Sequence, residues 1–324
     1  MKYLVATLLC LKVSLSFSQI FFPLTENAAN IPGNVLVARM FTKTYQEVDT
    51  RRNLFGLRLM YGVTPRLTII GTYSLSNHHN HILPNDFIVH KHVGNQVINY
   101  AQSFKRGVPY PYSFPGLHLY GKYRFFSMDE KNKFFRMAMY GEWSNVKQAH
   151  DEAEPNLVDD TAGYGGGLIF TYLNKRLGIS LNTGFIIPKK YTEWTTDVYG
   201  GPDLFTSLYY GKAVTCNLSL GYLFAPKNIT NYKQANWNAY LEFLGKKYTG
   251  SKAYRDGQNL PIQTELLESG YYVEVHPGIQ KFIRSNLRID LSVGINLIQR
   301  SYVWFYPVWN VGVQRYFFFH KGRG

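Results

Sequence analysis

Histidine is concentrated in one short part of this 324-residue sequence, where it could bind a metal ion. Imidazole nitrogens are good ligands for Zn²⁺, Cu²⁺ and Ni²⁺. The spacing matches no established metal motif, however, so a solvated loop that happens to be rich in histidine is the alternative. A third interpretation is that the surrounding segment, residues 77–115, folds inward and narrows a pore. The candidate metal ligands are His78, His79, His81, His90 and His92.

Carboxylates are concentrated in a second polar segment, residues 146–160. Their order differs from that of a calcium-binding loop, in which acidic residues alternate with other residues before a glycine. The segment can therefore be a solvated surface, or it can bridge a divalent cation to lipid or to a neighbouring loop. Its acidic residues are Asp151, Glu152, Glu154, Asp159 and Asp160.

No catalytic motif accompanies these clusters. The sequence contains no Gly-x-Ser-x-Gly elbow and no His-Glu-x-x-His motif. Gly163, Gly165 and Gly167 do not form a phosphate loop, because no Gly-Lys-Ser/Thr follows them. On one strand face they would either leave room inside a lumen or allow the wall to curve. We therefore predict a protein that is not an enzyme and has no cofactor.

Twelve segments alternate apolar with polar residues, which is the pattern of β-strands with one apolar face. In the clearest segment, Leu287, Ile289 and Leu291 fall on one face, whereas Arg288 and Asp290 fall on the other. The twelve segments are 34–46, 54–64, 67–76, 116–126, 134–145, 161–173, 176–188, 207–224, 236–247, 270–283, 286–299 and 306–319.

The connections between these segments alternate short with long. Outer-membrane barrels join their strands by short periplasmic turns and longer outer loops. The sequence therefore predicts an all-β protein, a single antiparallel transmembrane β-barrel of about twelve strands with short periplasmic turns and long outer loops. The longer connections are 47–53, 77–115, 146–160, 189–206 and 248–269, whereas 225–235 and 300–305 depart from the rule.

Composition and the chain ends agree with an exported barrel. Aromatic residues make up 16% of the chain, with 26 Tyr and 22 Phe, as aromatic girdles at two membrane interfaces would require. The formal net charge of +14 favours contact with the phosphates of outer-membrane lipid and lipopolysaccharide, or with anionic solutes. An exported chain without a nucleic-acid motif is not expected to bind nucleic acid. The predicted divisions are 1–18, a cleaved signal peptide; 19–33, a short periplasmic segment; 34–319, the barrel; and 320–324, a short tail.

Strand parity also predicts which side chains line the lumen. With Lys246 included, six cations face four anions, a mixed and slightly positive lining. Such charges can set the selectivity of a pore, or they can pair and seal a barrel that conducts nothing. The predicted lining residues are Arg58, His118, Tyr120, Lys122, Arg124, Arg136, Tyr140, Glu142, Tyr240, Glu242, Glu274, His276, Arg288 and Asp290.

Two stretches carry a family resemblance: residues 59–68, LMYGVTPRLT, and residues 116–125, GLHLYGKYRF. Through them the whole mature chain resembles outer-membrane β-barrel proteins of Bacteroidota-type bacteria. Among these it is similar to the "meta-pathway of phenol degradation" transporter-like group. The resemblance implies a barrel and the passage of small, aromatic or otherwise organic solutes, and it assigns no site residue.

The sequence thus leads to two functional hypotheses. The first is a channel for small solutes that diffuse through a mixed-charge, tyrosine-lined lumen gated or narrowed by residues 77–115. The alternative is a non-conducting barrel that serves as a scaffold or binding partner for another outer-membrane protein. In that case the connections 77–115 and 146–160 would be the contact surfaces.

Overall fold

The computed structural model describes residues 22–78, 109–147, 149, 152–195, 202–227, 234–262, 267–284, 286–300 and 305–319, and the strand backbone of 88–93 and 96–101. The predicted signal peptide, residues 1–18, and the predicted tail, residues 320–324, lie outside the described residues.

The described chain forms eighteen strands and no α-helix. No helix among the described residues is long and apolar enough to cross a membrane. The strands are β1 Val35–Glu47, β2 Thr50–Thr64, β3 Leu67–Ser76, β4 Ile88–Val93, β5 Gln96–Ala101, β6 Leu117–Glu130, β7 Lys133–Ser144, β8 Gly163–Asn174, β9 Leu177–Pro188, β10 Tyr191–Thr195, β11 Leu204–Tyr209, β12 Ala213–Ala225, β13 Asn236–Tyr248, β14 Lys252–Arg255, β15 Gln258–Leu260, β16 Gly270–Ile283, β17 Leu287–Arg300 and β18 Val308–Phe318.

Twelve of these strands close into one antiparallel barrel, as the alternation predicted. Their order around the barrel is β1-β18-β17-β16-β13-β12-β9-β8-β7-β6-β3-β2. Closure is made by β1 and β18, which pair from Val35 opposite Phe318 to Thr44 opposite Trp309. Because a closed barrel has no free strand edge, every strand in the wall can pair its backbone on both sides.

The polarity of the wall is opposite to that of a soluble barrel. On β17, Ile289, Leu291 and Leu297 point outward with 40%, 44% and 53% of their surface exposed. Arg288 and Asp290 on the same strand point inward and are only 2% and 3% exposed. An apolar exterior around a buried polar interior is the arrangement expected for strands that face lipid.

The two ends of the barrel differ in their connections. The turn end has short links at 65–66, 131–132, 175–176 and 284–286, the longer link 226–235, the start of β1 at Val35 and the end of β18 at Phe318. The loop end carries the long connections. One expected connection, 47–53, is wrong in length, because β1 and β2 extend until only Val48 and Asp49 lie between them.

At the loop end, chain expected to be irregular forms additional sheet. The connections 189–206 and 248–269 contribute to a four-stranded sheet of order β10-β11-β14-β15, which we call the extension sheet. Its core contains Tyr191, Leu208, Ala253 and Leu260. The expected strand 207–224 is two strands, β11 and β12, and the connection 77–115 contains the hairpin β4–β5. The additional strands, β4, β5, β10, β11, β14 and β15, are three to six residues long, which is too short for alternation to distinguish them from loop.

The polarity of the wall can be tested by placing one charge at two depths. We expect Leu291→Arg to lower the free energy of unfolding in lipid by about 2–4 kcal/mol, because the guanidinium is placed near mid-membrane. Leu177→Arg, at the turn end of β9, should cost about 0–1 kcal/mol, because the charge there reaches the interface. Urea unfolding in phospholipid vesicles measures both changes, and equal costs at the two positions would contradict the assignment of this face to lipid.

Candidate functional site

Residues 22–33, which we call the inner segment, run inside the barrel before β1 begins. Their central contact is the carboxylate of Glu26, which accepts hydrogen bonds from Arg58 on β2 at 2.6 Å and from Lys122 on β6 at 2.9 Å. The Lys122 ammonium also donates to the backbone carbonyl of Asn27 at 2.6 Å. One acidic residue of the inner segment thus pairs with two cations of the barrel wall.

The inner segment crosses the lumen, because its other partners lie on distant strands. The Thr25 amide donates to Glu242 on β13 at 2.9 Å, and the Ala28 amide donates to Thr171 on β8 at 2.8 Å. The Ile31 amide donates to Thr68 Oγ1 on β3 at 3.2 Å. We expected residues 19–33 to be periplasmic, whereas the structure places 22–33 within the barrel, where polar wall residues satisfy the segment's backbone.

A second segment closes the opposite side of the lumen. Residues 152–162, which we call the inserted loop, form the last part of the connection from β7 to β8 at the loop end, and they fold into the barrel mouth. Glu154 pairs with Lys246 and accepts a hydrogen bond from the Tyr272 hydroxyl at 3.1 Å. The Ser74 hydroxyl donates to the carbonyl of Val158 at 2.7 Å.

Three acidic residues of the inserted loop, Glu154, Asp159 and Asp160, are buried rather than solvated, whereas Glu152 is half-buried and Asp151 lies outside the described residues. Asp159 lies 2.8 Å from Nδ1 of His78, and the Asp160 carboxylate accepts a hydrogen bond from Thr161. Burial, with the charges of Asp159 and Glu154 adding to it, holds the pKa of the Asp160 carboxyl well above its ordinary value. Neither of the two interpretations given for this segment, a solvated surface or a cation bridge, describes Glu154, Asp159 and Asp160. Their carboxylates contact Lys246, His78 and Thr161 of the protein itself.

A chamber of about 340 Å³ lies between the inner segment and the inserted loop. Leu24, Thr25 and Glu26 line its turn side, and the inserted loop lines the other side. The rings of Tyr120 and Tyr140 stack on its wall with centroids 4.9 Å apart. The remaining wall is formed by Phe41, Lys43, Arg58, Thr72, His118, Glu142, Asn182, Ile186, Thr215, Asn217, Leu244, Gly245, Lys246, Tyr272 and Glu274.

The predicted lining residues occupy three places. Arg58, His118, Tyr120, Tyr140, Glu142 and Glu274 line the chamber. Lys122, Tyr240, Glu242, His276, Arg288 and Asp290 are buried inside the barrel around it. Arg124 and Arg136 lie at the turn end, where Arg124 donates to the carbonyl of Pro65 and Arg136 pairs with Asp129.

Charges inside the barrel are paired with one another. His118 Nε2 lies 2.9 Å from Glu142, and His276 Nε2 lies 2.8 Å from Glu274. Arg39, which was not predicted as a lining residue, makes a two-pronged bond to Asp290 at 2.6 and 2.8 Å. This pairing compensates charges that the wall removes from bulk water.

Two polar groups on the chamber wall are without a hydrogen-bond partner among the described residues. They are Nδ1 of His118 and Nε of Arg58. The His118 side chain is only 7% exposed, and its other ring nitrogen contacts Glu142. Buried polar atoms are normally satisfied, so these two are exceptions among the side chains that line the chamber.

Glycine makes room for two of the lining side chains. A Cβ on Gly184 would lie 2.0 Å from the hydroxyl of Tyr140, and a Cβ on Gly165 would lie 2.7 Å from Oε1 of Glu142. The missing side chains on β8 and β9 therefore allow Tyr140 and Glu142 to lie against the wall. Gly165 therefore has one of the roles predicted for Gly163, Gly165 and Gly167, which is to leave room inside the lumen.

The described parts of 77–115 lie outside the chamber. The ring of Phe114 stacks on Tyr73 at 3.9 Å, and Tyr112 contacts Phe55 at 6.0 Å, both on the outer face of the wall. Of the candidate metal ligands, His78 contacts Asp159, His79 and His81 lie outside the described residues, and His90 and His92 are placed on β4 by their backbone alone. Among the described residues no group of three or more potential ligands could hold a metal ion.

The prediction missed every chamber residue supplied by the inner segment and the inserted loop. It also missed ten residues of the wall: Phe41, Lys43, Thr72, Asn182, Ile186, Thr215, Asn217, Leu244, Gly245 and Tyr272. One signal could have indicated the inner segment. The predicted lining has more cations than anions, and Glu26 is the one acidic residue between positions 19 and 46. A surplus of inward cations requires an anion from elsewhere in the chain, and Glu26 supplies it.

The fold resembles that of solved outer-membrane proteins. The COG4313 outer membrane channel from Pseudomonas putida F1 is 13% identical to this chain, and the match covers 90% of this chain and 99% of that one with a TM-score of 0.55. CdiB from Escherichia coli is 10% identical over 88% of this chain and 51% of that one, with a TM-score of 0.31. OmpF of Salmonella typhi is 9% identical over 88% and 98%, with a TM-score of 0.25.

At this identity the first match shows a shared fold, and the other two are too distant to support an argument. No protein-family model matches the sequence, and no curated protein matches it. The chain is therefore an all-β, closed twelve-stranded barrel of the outer-membrane type.

The contacts of Glu154 can be tested by removing its charge. We expect Glu154→Gln to speed hydrogen–deuterium exchange of the inserted-loop amides by about tenfold or more, because Lys246 then lacks its buried counterion. Glu268→Gln, at an exposed position of the neighbouring connection, is the matched control and should leave this exchange unchanged. If both variants exchange like the parent protein, the Glu154–Lys246 pair does not hold the loop.

Proposed function

We propose that this protein is an outer-membrane channel through which small solutes diffuse. The apolar exterior, the polar interior and the similarity in fold to an outer membrane channel support this function. In this proposal the turn end faces the periplasm and the loop end faces outward, as in bacterial barrels with short periplasmic turns.

The observation that carries the proposal is the chamber that lies between two separate segments inside the barrel, the inner segment and the inserted loop. Its volume of about 340 Å³ is at the lower end of the range for small-molecule sites, about 300–1,000 Å³. A solute would pass the inserted loop, occupy the chamber and then pass the inner segment. The mechanism is diffusion, with the two segments setting the rate.

The lining indicates the class of solute. Chamber cations such as Arg58 and Lys246 are paired with acidic residues, so the chamber carries no large field of one sign. The Tyr120–Tyr140 stack and apolar groups such as Phe41 offer contacts to a planar or apolar body. We therefore propose small organic solutes, including aromatic ones, with at least one hydrogen-bonding group.

Single-channel conductance in planar bilayers tests the two segments separately. We expect the parent protein to give small steps, and deletion of residues 22–31 or replacement of 152–160 by a short Gly-Ser linker to give steps about twofold larger or more, because each change widens one constriction. Glu26→Gln keeps the length of the chain and should raise the frequency with which the channel opens, because the inner segment then lacks the carboxylate that pairs with Arg58 and Lys122.

Lys131→Gln, in a turn outside the lumen, is the control and should conduct like the parent protein. The folded state of each variant is checked by its retarded migration on unheated gels. Folded variants that all fail to conduct would refute the channel function.

A second candidate function is favoured by the segments that narrow the lumen from both sides. Paired charges, the inner segment and the inserted loop occupy much of the described barrel interior, as would suit a non-conducting scaffold that presents the extension sheet to a partner protein. This alternative predicts that neither deletion produces conductance.

A further inference from the structure

Five lysines surround the base of the extension sheet, where strands leave the barrel at the loop end. All five are exposed in the described structure. Two lie between β9 and β10, one between β11 and β12, one at the end of β13 and one at the start of β14. This basic rim consists of Lys189, Lys190, Lys212, Lys247 and Lys252.

The strand register places part of the basic rim on the same face as the lipid-facing wall. Lys247 is paired with Val214, whose side chain points outward and is 63% exposed. Lys252 is paired with Tyr209, which is 45% exposed on the outer face of the extension sheet. Cations at this level lie where the headgroups of the outer leaflet begin, if the barrel is oriented as proposed above.

Aromatic side chains continue the same face above the basic rim. Tyr209 contacts Tyr254 with ring centroids 5.4 Å apart, and Trp194 contacts Phe205 at 5.3 Å. Trp194 is 65% exposed. Since Phe205 lies four residues along β11 from Tyr209, this aromatic surface extends about 13 Å beyond the lysines, at roughly 3.3 Å per residue.

The rim is basic on balance, because among the described residues one exposed carboxylate near it, Glu268, stands against five lysines; Glu268 follows Leu267, whose carbonyl accepts a hydrogen bond from the Ser251 amide. The exposed carboxylates of the sheet, Asp203 and Asp256, lie at its far end, where the Phe205 amide donates to Asp256 at 2.9 Å. The outer face therefore has positive charge next to the membrane and aromatic rings farther out. This order matches a ligand with phosphate at its base and apolar ring faces above.

We propose that this face binds a phosphorylated glycolipid of the outer leaflet. The lysines bind the phosphates, and the aromatic side chains contact the C–H faces of the sugar rings. A phospholipid would satisfy the lysines alone, since it has no sugar at the height of Trp194 and Phe205. The site depends on the orientation in the proposed function and does not depend on conduction.

Binding of purified lipopolysaccharide to the full-length protein in detergent tests the site, with dephosphorylated lipopolysaccharide and phosphatidylglycerol as comparison ligands. We expect the triple variant Lys189→Gln, Lys212→Gln, Lys247→Gln to bind lipopolysaccharide at least about tenfold more weakly, because each lysine near an anionic surface contributes to the binding free energy. The matched control carries Lys131→Gln, Lys175→Gln and Lys227→Gln at the turn end and should bind like the parent protein.

The double variant Trp194→Ala, Phe205→Ala separates a glycolipid from a phospholipid. We expect about fivefold weaker binding of lipopolysaccharide, both phosphorylated and dephosphorylated, and unchanged binding of phosphatidylglycerol, since only the sugars reach these rings. Equal losses in the turn-end control, or an aromatic variant that binds lipopolysaccharide normally, would overturn the proposal.

Conductance is recorded on the same proteins and should not change. A protein that binds the glycolipid but never conducts would refute the channel alone. A protein that conducts but shows no selective binding would refute the glycolipid site alone.

Discussion

The pairing of β1 with β18 is the constraint on which the rest of the structure depends. In lipid, an open sheet edge would leave a row of backbone groups without hydrogen-bond partners, and ten residue pairs between these strands remove both edges. Closure then fixes polarity, because alternate side chains must point either to lipid or to the interior. Arg39 on β1 consequently enters the barrel, where Asp290 is its partner.

Closure also creates an electrostatic problem that the wall does not solve alone. Cations placed in a narrow interior lose bulk water and need nearby anions. The inner segment supplies Glu26 to Arg58 and Lys122, and the inserted loop supplies Glu154 to Lys246. Ion pairs therefore hold both segments in the lumen together with the hydrogen bonds described above. Water that enters as a segment leaves can hydrate the same cations, which makes displacement less costly than in a dry core.

The sequence predicted what depends on local periodicity. Period-two alternation located all twelve wall strands, and for β3 and β16 the predicted and observed bounds agree. It did not locate the inner segment, because that segment has no periodicity and its contacts span distances such as the 96 positions between Glu26 and Lys122. The inserted loop escaped prediction for a different reason, since an acidic run looks solvated until its buried partners are known.

Alternation also keeps the two proposed activities of the wall physically separate. Residues that line the chamber, such as Lys246, and residues that face outward, such as Lys247, are neighbours in sequence on β13 but lie on opposite sides of the sheet. A substitution on one face removes no contact on the other, so effects on conduction and on lipid binding should be additive for residues without shared partners. The inserted loop is an exception to this separation, because it contacts the basic rim directly. The Ala162 carbonyl of the loop accepts a hydrogen bond from the amide of Lys189 in the rim. The routes for coupling between lipid and lumen include this hydrogen bond, the one from the Gly211 amide to the Ala153 carbonyl, and the packing of Ala153 and Leu157 with Ala213 and Tyr248.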